Sequence, residues 1–390
     1  MSYSEFPGFA LPDTPVFNHA VAATSFAGEF PDTVAMLDLA MVFGSRLWGH
    51  DMTVPALDAP GLGDLLTHAS RARACARLCE RVAEEHPDIT DADELRALVL
   101  HTGSEAVETA IKTATRATGR DRLVAFEGGY HGTFGLALAV THRAEFREPW
   151  AAQYAHDVVT WGPWGVVPQL DETVACVVVE PWQGRAGVLA PPDGFLAGVR
   201  AECDRVGAVL VLDAVLCGAG RTGPTIAAEL ASARPDIVCL GKAIGGGFTA
   251  SAAVARTALA TAAWERGPVE PAHTSTSIGD PIACLGILDA LDRLTDRSEE
   301  LDDAAVAWRE LLQPLAREHA LELRGTGLLW ALDTNVAGSG LELARRLLDE
   351  HDVIVVPSGI DAASITLYPA VVTTDLERER FVVALTRALT

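Results

Sequence analysis

Apolar residues in this chain gather into short runs that are apolar throughout rather than alternating. The runs are "ALVLHTG" (97–103), "RLVAFEGG" (122–129), "ACVVVEP" (175–181), "AVLVLDA" (208–214), "DIVCLGK" (236–242) and "TASAAVA" (249–255). A strand covered on both faces needs no polar side, so such runs predict buried strands. Helically spaced stretches separate them, and alternating strands and helices predict a mostly parallel α/β sheet. From about Leu285 the pattern changes. Helical stretches at 285–294, 299–319, 340–350 and 375–389 bracket short strands at 321–324, 328–333, 353–356 and 364–368, which predicts a smaller α+β domain. Upstream, residues 65–86 carry Leu, Ala and Cys on one helical face, and 37–50 is apolar but broken by Gly44. Residues 1–35 are rich in Pro, Phe and small residues with weak periodicity, and read as an irregular arm. The expected division is an arm over 1–40 contributing to the small domain, a large domain over 41–285 and a small C-terminal domain over 286–390.

Composition narrows the class. A chain of 390 residues is too long for one small core, which agrees with two domains. The balance of 53 acidic against 30 basic residues, net −23, is spread along the chain and disfavours nucleic acid and anionic membrane as partners. No apolar run approaches the roughly 18 residues of a membrane span. The opening "MSYSEFPGFALPDTP" lacks the basic and apolar regions of a secretory signal. The seven cysteines form no paired C-x-x-C knuckles; Cys75 and Cys79 lie one helical turn apart. They read as reduced core thiols of a cytoplasmic protein, with no metal site expected.

In a parallel sheet, ligands bind beyond the C-terminal strand ends. Waiting there are Gly103-Ser104, Tyr130-His131, Glu180, Asp213 and Lys242. In "HTGSEAVETAIKTATRATGR" (101–120) a strand ends, Gly103 turns the chain and Ser104 is expected to cap a helix. Free amides and a partial positive charge at a helix start bind phosphate, although an ordinary capped helix reads the same way. Asp213 ends "VLVLD", and a buried carboxylate there needs a cation or donor, such as a protonated ring nitrogen. Lys242 precedes three glycines; buried at a strand end it should have a lowered pKa or be tied up as an imine, and otherwise it is a surface loop lysine. Phosphate cradle, ring-nitrogen carboxylate and imine-forming lysine together are what pyridoxal phosphate requires. "GAGRTG" (218–223) matches G-x-G-x-x-G, but Pro224 follows where a dinucleotide site needs a helix.

These blocks resemble those of the class III (ω-amino-acid type) pyridoxal-phosphate aminotransferases of fold type I. The similarity runs from about residue 37 to 390 and is densest over 101–284. "HTGSEAVETAIKTATRATGR" resembles the phosphate block, "FEGGYHG" the ring-stacking block and "PDIVCLGKAIGGG" the lysine block. "VVVEPWQGRAGVLAPPDGFL" and "LVLDAVLCGAGRTG" resemble the two central blocks, and "HTSTSIGDPIAC" the segment that reaches a partner subunit. The resemblance implies a large domain with a mostly parallel seven-stranded-type sheet between helices, plus a smaller α+β domain. It implies that Lys242 is the Schiff-base lysine and proton carrier, and that Asp213 keeps the pyridine nitrogen protonated. Gly103 and Ser104 would cradle the phosphate, Tyr130 and Val215 would cover the two ring faces, and His131 and Glu180 would sit beside them. Thr276 would touch the phosphate bound in the neighbouring subunit of a homodimer with active sites at the interface. The implied activity is amino transfer between an amine or amino acid and a carbonyl acceptor.

Three positions depart from the family pattern. Leu216 stands where a Gln meets the cofactor's phenolic oxygen. Arg185 stands where many members carry a Glu. Thr366, in "ASITLYPAV", stands where many carry a carboxylate-gripping Arg, with Arg378 the next arginine along. Arg185 could replace that grip, or it could point to solvent. The departures keep a second reading open: other pyridoxal-phosphate chemistry, such as racemisation, decarboxylation, aminomutation, elimination or carbon–carbon bond formation. A third is a catalytically idle homologue, against which Lys242 and Asp213 both stand. The altered site suggests specialised metabolism.

Overall fold

The computed structural model describes residues 17–22, 25–28, 36–52, 56–57, 67–152, 157–264 and 272–390. Part of the expected irregular arm is ordered strand. β1 (Phe17–Ala22) and β2 (Ser25–Gly28) pair antiparallel, and β2 pairs with β3 (Met36–Asp38). The rest of that arm lies outside the described residues.

Seven strands form the central sheet: β4 (Leu95–Leu100), β5 (Arg122–Phe126), β6 (Val158–Trp161), β7 (Val174–Val179), β8 (Val209–Asp213), β9 (Ile237–Leu240) and β10 (Ser251–Arg256). Their order is β4-β10-β9-β8-β7-β5-β6. Neighbours from β9 to β6 run parallel, and β10 runs antiparallel to both β9 and β4. Every residue of β7, β8 and β9 is buried, because apolar clusters pack on both faces of the sheet. β6 is the strand that the apolar-run pattern misses; as an edge strand it is only half-buried and carries a weaker signal.

Helix Gly103–Thr118 buries Ala106, Val107, Ala110, Ile111 and Ala114 against the sheet. Its N-cap is Thr102, not Ser104 as expected. Thr102 Oγ1 accepts from the Glu105 amide at 3.2 Å, while Glu105 Oε2 accepts from the Thr102 amide at 2.7 Å. This reciprocal capping box leaves Ser104 in the first turn, where its Oγ accepts from the Thr133 amide at 3.3 Å.

A second sheet, all antiparallel, contains β11 (Glu322–Thr326), β12 (Leu329–Asp333), β14 (Val356–Ser358) and β15 (Ser364–Leu367), in the order β11-β12-β15-β14. The single strand expected over 353–356 is divided. β13 (Val353–Ile354) leaves that sheet and pairs in parallel with β3, tying the N-terminal strands to the C-terminal region. Helices Ser298–Glu318, Ser339–His351 and Asp375–Leu389 accompany these strands. Among the described residues no helix is long and apolar enough to cross a membrane.

Arg221, from the Gly-rich "GAGRTG" turn, is fully buried. It donates to the carbonyls of Leu328 at 3.0 Å, Pro369 at 2.7 Å and Gly44 at 2.8 Å, so one guanidinium ties three distant segments together. Gly44 ends a turn in which Met41, Val42 and Phe43 all have positive φ (42°, 51° and 53°). Left-handed backbone at such residues costs about 1–3 kcal/mol each and persists only where surrounding contacts hold it. Asp38 Oδ1 holds the turn from the other side, accepting from the amides of Ala40 and Met41 at 2.8 Å.

Candidate active site

One cavity of about 290 Å³ opens at the C-terminal strand ends. It brings together Lys242, Asp213, Gly103, Ser104, Tyr130, His131, Glu180, Val215 and Arg185. Thr276 is exposed and is not among the lining residues. Three lining residues escaped the sequence reading: Phe43, Gly132 and Tyr368.

Asp213 and Lys242 come from adjacent strands. Asp213 is the last residue of β8, and Lys242 follows β9 by two positions. Asp213 Oδ2 meets His131 Nδ1 at 2.7 Å, and Asp213 Oδ1 accepts from the Val215 amide at 3.1 Å. Burial works against charge on His131, but the hydrogen bond and charge of Asp213 leave its pKa raised. Thr141 Oγ1 accepts from the His131 amide at 2.9 Å and fixes that segment.

Lys242 itself has φ of 48°, a strained value for a non-glycine residue. Burial lowers its pKa and Arg185 adds to the effect, against the opposing charges of Asp213 and Glu180. The amine is thereby held toward its neutral, nucleophilic form. The glycines after it admit close approach of neighbouring backbone and side chains. A Cβ on Gly246 would lie 2.8 Å from the Gly286 carbonyl, and one on Gly247 would lie 2.7 Å from Arg46 Nη1. These glycines let helix Pro281–Asp296 and the 46–52 segment pack under the lysine turn.

Glu180 follows β7 and is buried, with Oε2 accepting from the Tyr130 amide at 3.0 Å. Burial raises its pKa to about 7, and Asp213 adds to the rise while His131 and Lys242 oppose it. A carboxyl whose folded pKa lies above its unfolded value contributes stability that is lost as pH rises through the folded pKa. The Glu180→Gln apoprotein should therefore melt above the parent at pH 8, by about 2 kcal/mol of stability, with the gap closing toward pH 5. Thermal melts across that range check it; a gap independent of pH would exclude Glu180 as the titrating group.

The phosphate-sized end of the cavity is the start of helix Gly103–Thr118. Among the described residues the Gly103 and Ser104 amides have no acceptor. A Cβ on Gly103 would lie 2.5 Å from Val215 Cγ1, and one on Gly241 would lie 2.9 Å from the same atom. Val215 is thus wedged between the helix start and the lysine turn, and both glycines are needed to let it in. Free amides at a helix start, a buried carboxylate oriented by histidine and a depressed lysine fit pyridoxal phosphate.

The departures also find places. Leu216 lines the cavity and packs over Gly184, where any side chain would collide with it. Thr366 is buried in β15 and donates to Ser358 Oγ at 2.6 Å, so it does not line the cavity. Tyr368, two residues on, does; burial pushes its phenol up to about 12. Arg378 donates to the Thr373 carbonyl at 2.6 Å as part of a helix start. Arg185 is in the cavity, with its guanidinium carbon 5.4 Å from the Phe43 ring centroid and 5.2 Å from that of Tyr130.

Comparison with known proteins agrees with this geometry. An acetylornithine aminotransferase of Methanopyrus kandleri is 40% identical over 240 residues, covering 60% of this chain and 59% of that protein. A putrescine aminotransferase of Pectobacterium atrosepticum is 34% identical over 289 residues, covering 69% of this chain and 60% of that protein. The chain spans about three fifths of the length of these two relatives. Its fold matches an amine transaminase from an uncultivated Pseudomonas species, solved with pyridoxal phosphate bound, at a TM-score of 0.80 and 24% identity, covering 100% of this chain and 99% of that one. The family model described as "Aminotransferase class-III" matches residues 30–161 and 165–389, and the chain belongs to the class-III aminotransferase family.

Proposed function

We propose that the chain is a pyridoxal-phosphate-dependent aminotransferase, moving an amino group from an amine or amino acid to a carbonyl acceptor. The observation that carries this is the buried, pKa-lowered Lys242 beside the Asp213–His131 pair. Bound here, pyridoxal phosphate would supply a conjugated ring that accepts the electrons left when a substrate bond breaks. The rest falls to the protein. Lys242 Nζ would hold the cofactor at its carbonyl carbon, with water as the leaving group, and would carry the proton during transfer. Asp213, oriented by His131, would keep a proton on the ring nitrogen. The Gly103 and Ser104 amides would hold the phosphate, Val215 and Tyr130 would lie against the ring, and Glu180 accepts from the Tyr130 amide.

The reading extends to a homodimer, in which Thr276 contacts the phosphate held by the neighbouring subunit. Residues 41–285 form the cofactor domain and 286–390 the smaller one, with the first 40 residues joined to the latter; β3–β13 pairing supports that junction. Among the described residues none of the seven cysteines forms a disulfide, which suits a cytoplasmic protein. The residues at Leu216, Arg185 and Thr366 favour a substrate of specialised metabolism.

The test follows the nitrogen. Purified protein with pyridoxal phosphate, given isotopically labelled amino donors and oxo-acid acceptors, should deliver the label to the acceptor. Label that stays on a donor whose stereocentre or carbon skeleton has changed would establish other pyridoxal-phosphate chemistry instead.

A further inference from the structure

Among the described residues, no carboxylate forms an ion pair with Arg185. The chain has 53 acidic residues against 30 basic ones, and most of its arginines meet a carboxylate or a carbonyl. Among the described residues, the Arg185 guanidinium has no hydrogen-bond acceptor and no acidic partner. It is instead held over the faces of two rings, Phe43 at 5.4 Å and Tyr130 at 5.2 Å. Ring faces satisfy the flat sides of a guanidinium and leave its in-plane N–H fork free. The backbone is fixed as well, since the Arg185 carbonyl accepts from the Gly359 amide at 3.1 Å. Phe43 owes its position to the strained 41–43 turn, which Arg221 holds by the Gly44 carbonyl.

Arg185 disfavours charge on Lys242, and Asp213 and Glu180 in the same cavity oppose that effect without meeting the guanidinium by a hydrogen bond. The fork is a bidentate match for a carboxylate. The cofactor's phosphate would already be taken by the Gly103 and Ser104 amides, which leaves a substrate carboxylate as the anion for the fork. We propose that Arg185, held between Phe43 and Tyr130, is the carboxylate clamp of the substrate site. Donors and acceptors are then amino acids and oxo acids rather than simple amines and ketones. This inference rests on the transaminase reading for its chemistry, but not for its binding step.

The experiment uses the holoenzyme with matched donor pairs that differ only in the carboxylate: alanine with ethylamine, and 5-aminopentanoate with pentylamine. Loss of the bound cofactor's visible band reports single-turnover reaction. Arg185→Leu should lower kcat/KM for the acids about a hundredfold more than for the matched amines, mainly through KM. Arg185→Lys should fall between, and Phe43→Leu should weaken the acids more than the amines. In parallel, propionate and its neutral isostere propionamide are titrated onto parent and Arg185→Leu holoenzyme. Propionate binding that vanishes in Arg185→Leu is expected. Equal loss for acids and amines, no loss for either, or propionate binding unchanged by the substitution would overturn the clamp while leaving transamination standing. Arg185-dependent propionate binding without reaction of any donor would support the clamp and remove the transaminase reading.

Discussion

Lys242→Ala should lower turnover by at least a thousandfold and abolish the visible absorbance of covalently held cofactor. A thousandfold loss corresponds to about 4 kcal/mol of transition-state stabilisation, a scale typical of removing a covalent catalyst together with its proton carrier. Nothing else in the cavity can substitute. Asp213 and Glu180 are carboxyls, His131 is engaged with Asp213, and Arg185 is a delocalised guanidinium that cannot form the imine. Lys242→Arg should fail almost as completely, because it keeps the charge without the amine. The same substitution should leave folding intact or improve it. Burial lowers the Lys242 pKa, so the native state binds its proton less tightly than the unfolded chain does. That mismatch costs stability at lower pH and is relieved as pH rises toward the ordinary lysine value. Thermal melts of the Lys242→Ala apoprotein should therefore show a smaller rise between pH 7 and 10 than those of the parent. Full turnover in Lys242→Ala would remove the lysine, and with it the site, from consideration.

What could be read in the sequence was what local pattern encodes. β7, β8 and β9 announce themselves because strands buried on both faces must be apolar at every position, and their terminal residues mark the ligand side of the sheet. Strand direction leaves no such trace, so antiparallel β10 has the same apolar character as its parallel neighbours. The Thr102 cap was legible: Thr102-Gly103-Ser104-Glu105 is a capping-box pattern, and Glu105 three residues on is the sign that favours Thr102 over Ser104. Phe43 and Tyr368 were not legible. Each reaches the cavity from a segment remote in sequence from the strand ends, and only tertiary contacts deliver them there.

Arg221→Met should be the most destabilising single change outside the sheet core. The side chain is of similar length but carries no donor, so the carbonyls of Gly44, Leu328 and Pro369 would each lose a charge-assisted partner. Leaving buried acceptors unpaired costs about 1–3 kcal/mol each, which puts the sum at roughly 3–5 kcal/mol once partial relaxation is allowed. The parent is already imperfect here, since among the described residues Arg221 Nε has no partner, and that offsets part of the loss. The consequence reaches the cavity by two routes. Gly44 anchors the strained turn that presents Phe43, and Pro369 directly follows Tyr368. Arg221→Met should therefore lower the melting temperature by on the order of 5 °C or more and also weaken cofactor retention. Arg221→Lys should recover part of the stability, because an ammonium can serve some of the three carbonyls but lacks the planar fork that spans them. The paired readout separates causes: lost stability with unchanged cofactor affinity would mean that the turn holds its shape without the clamp. Unchanged melting in both variants would mean that water can take over all three carbonyls.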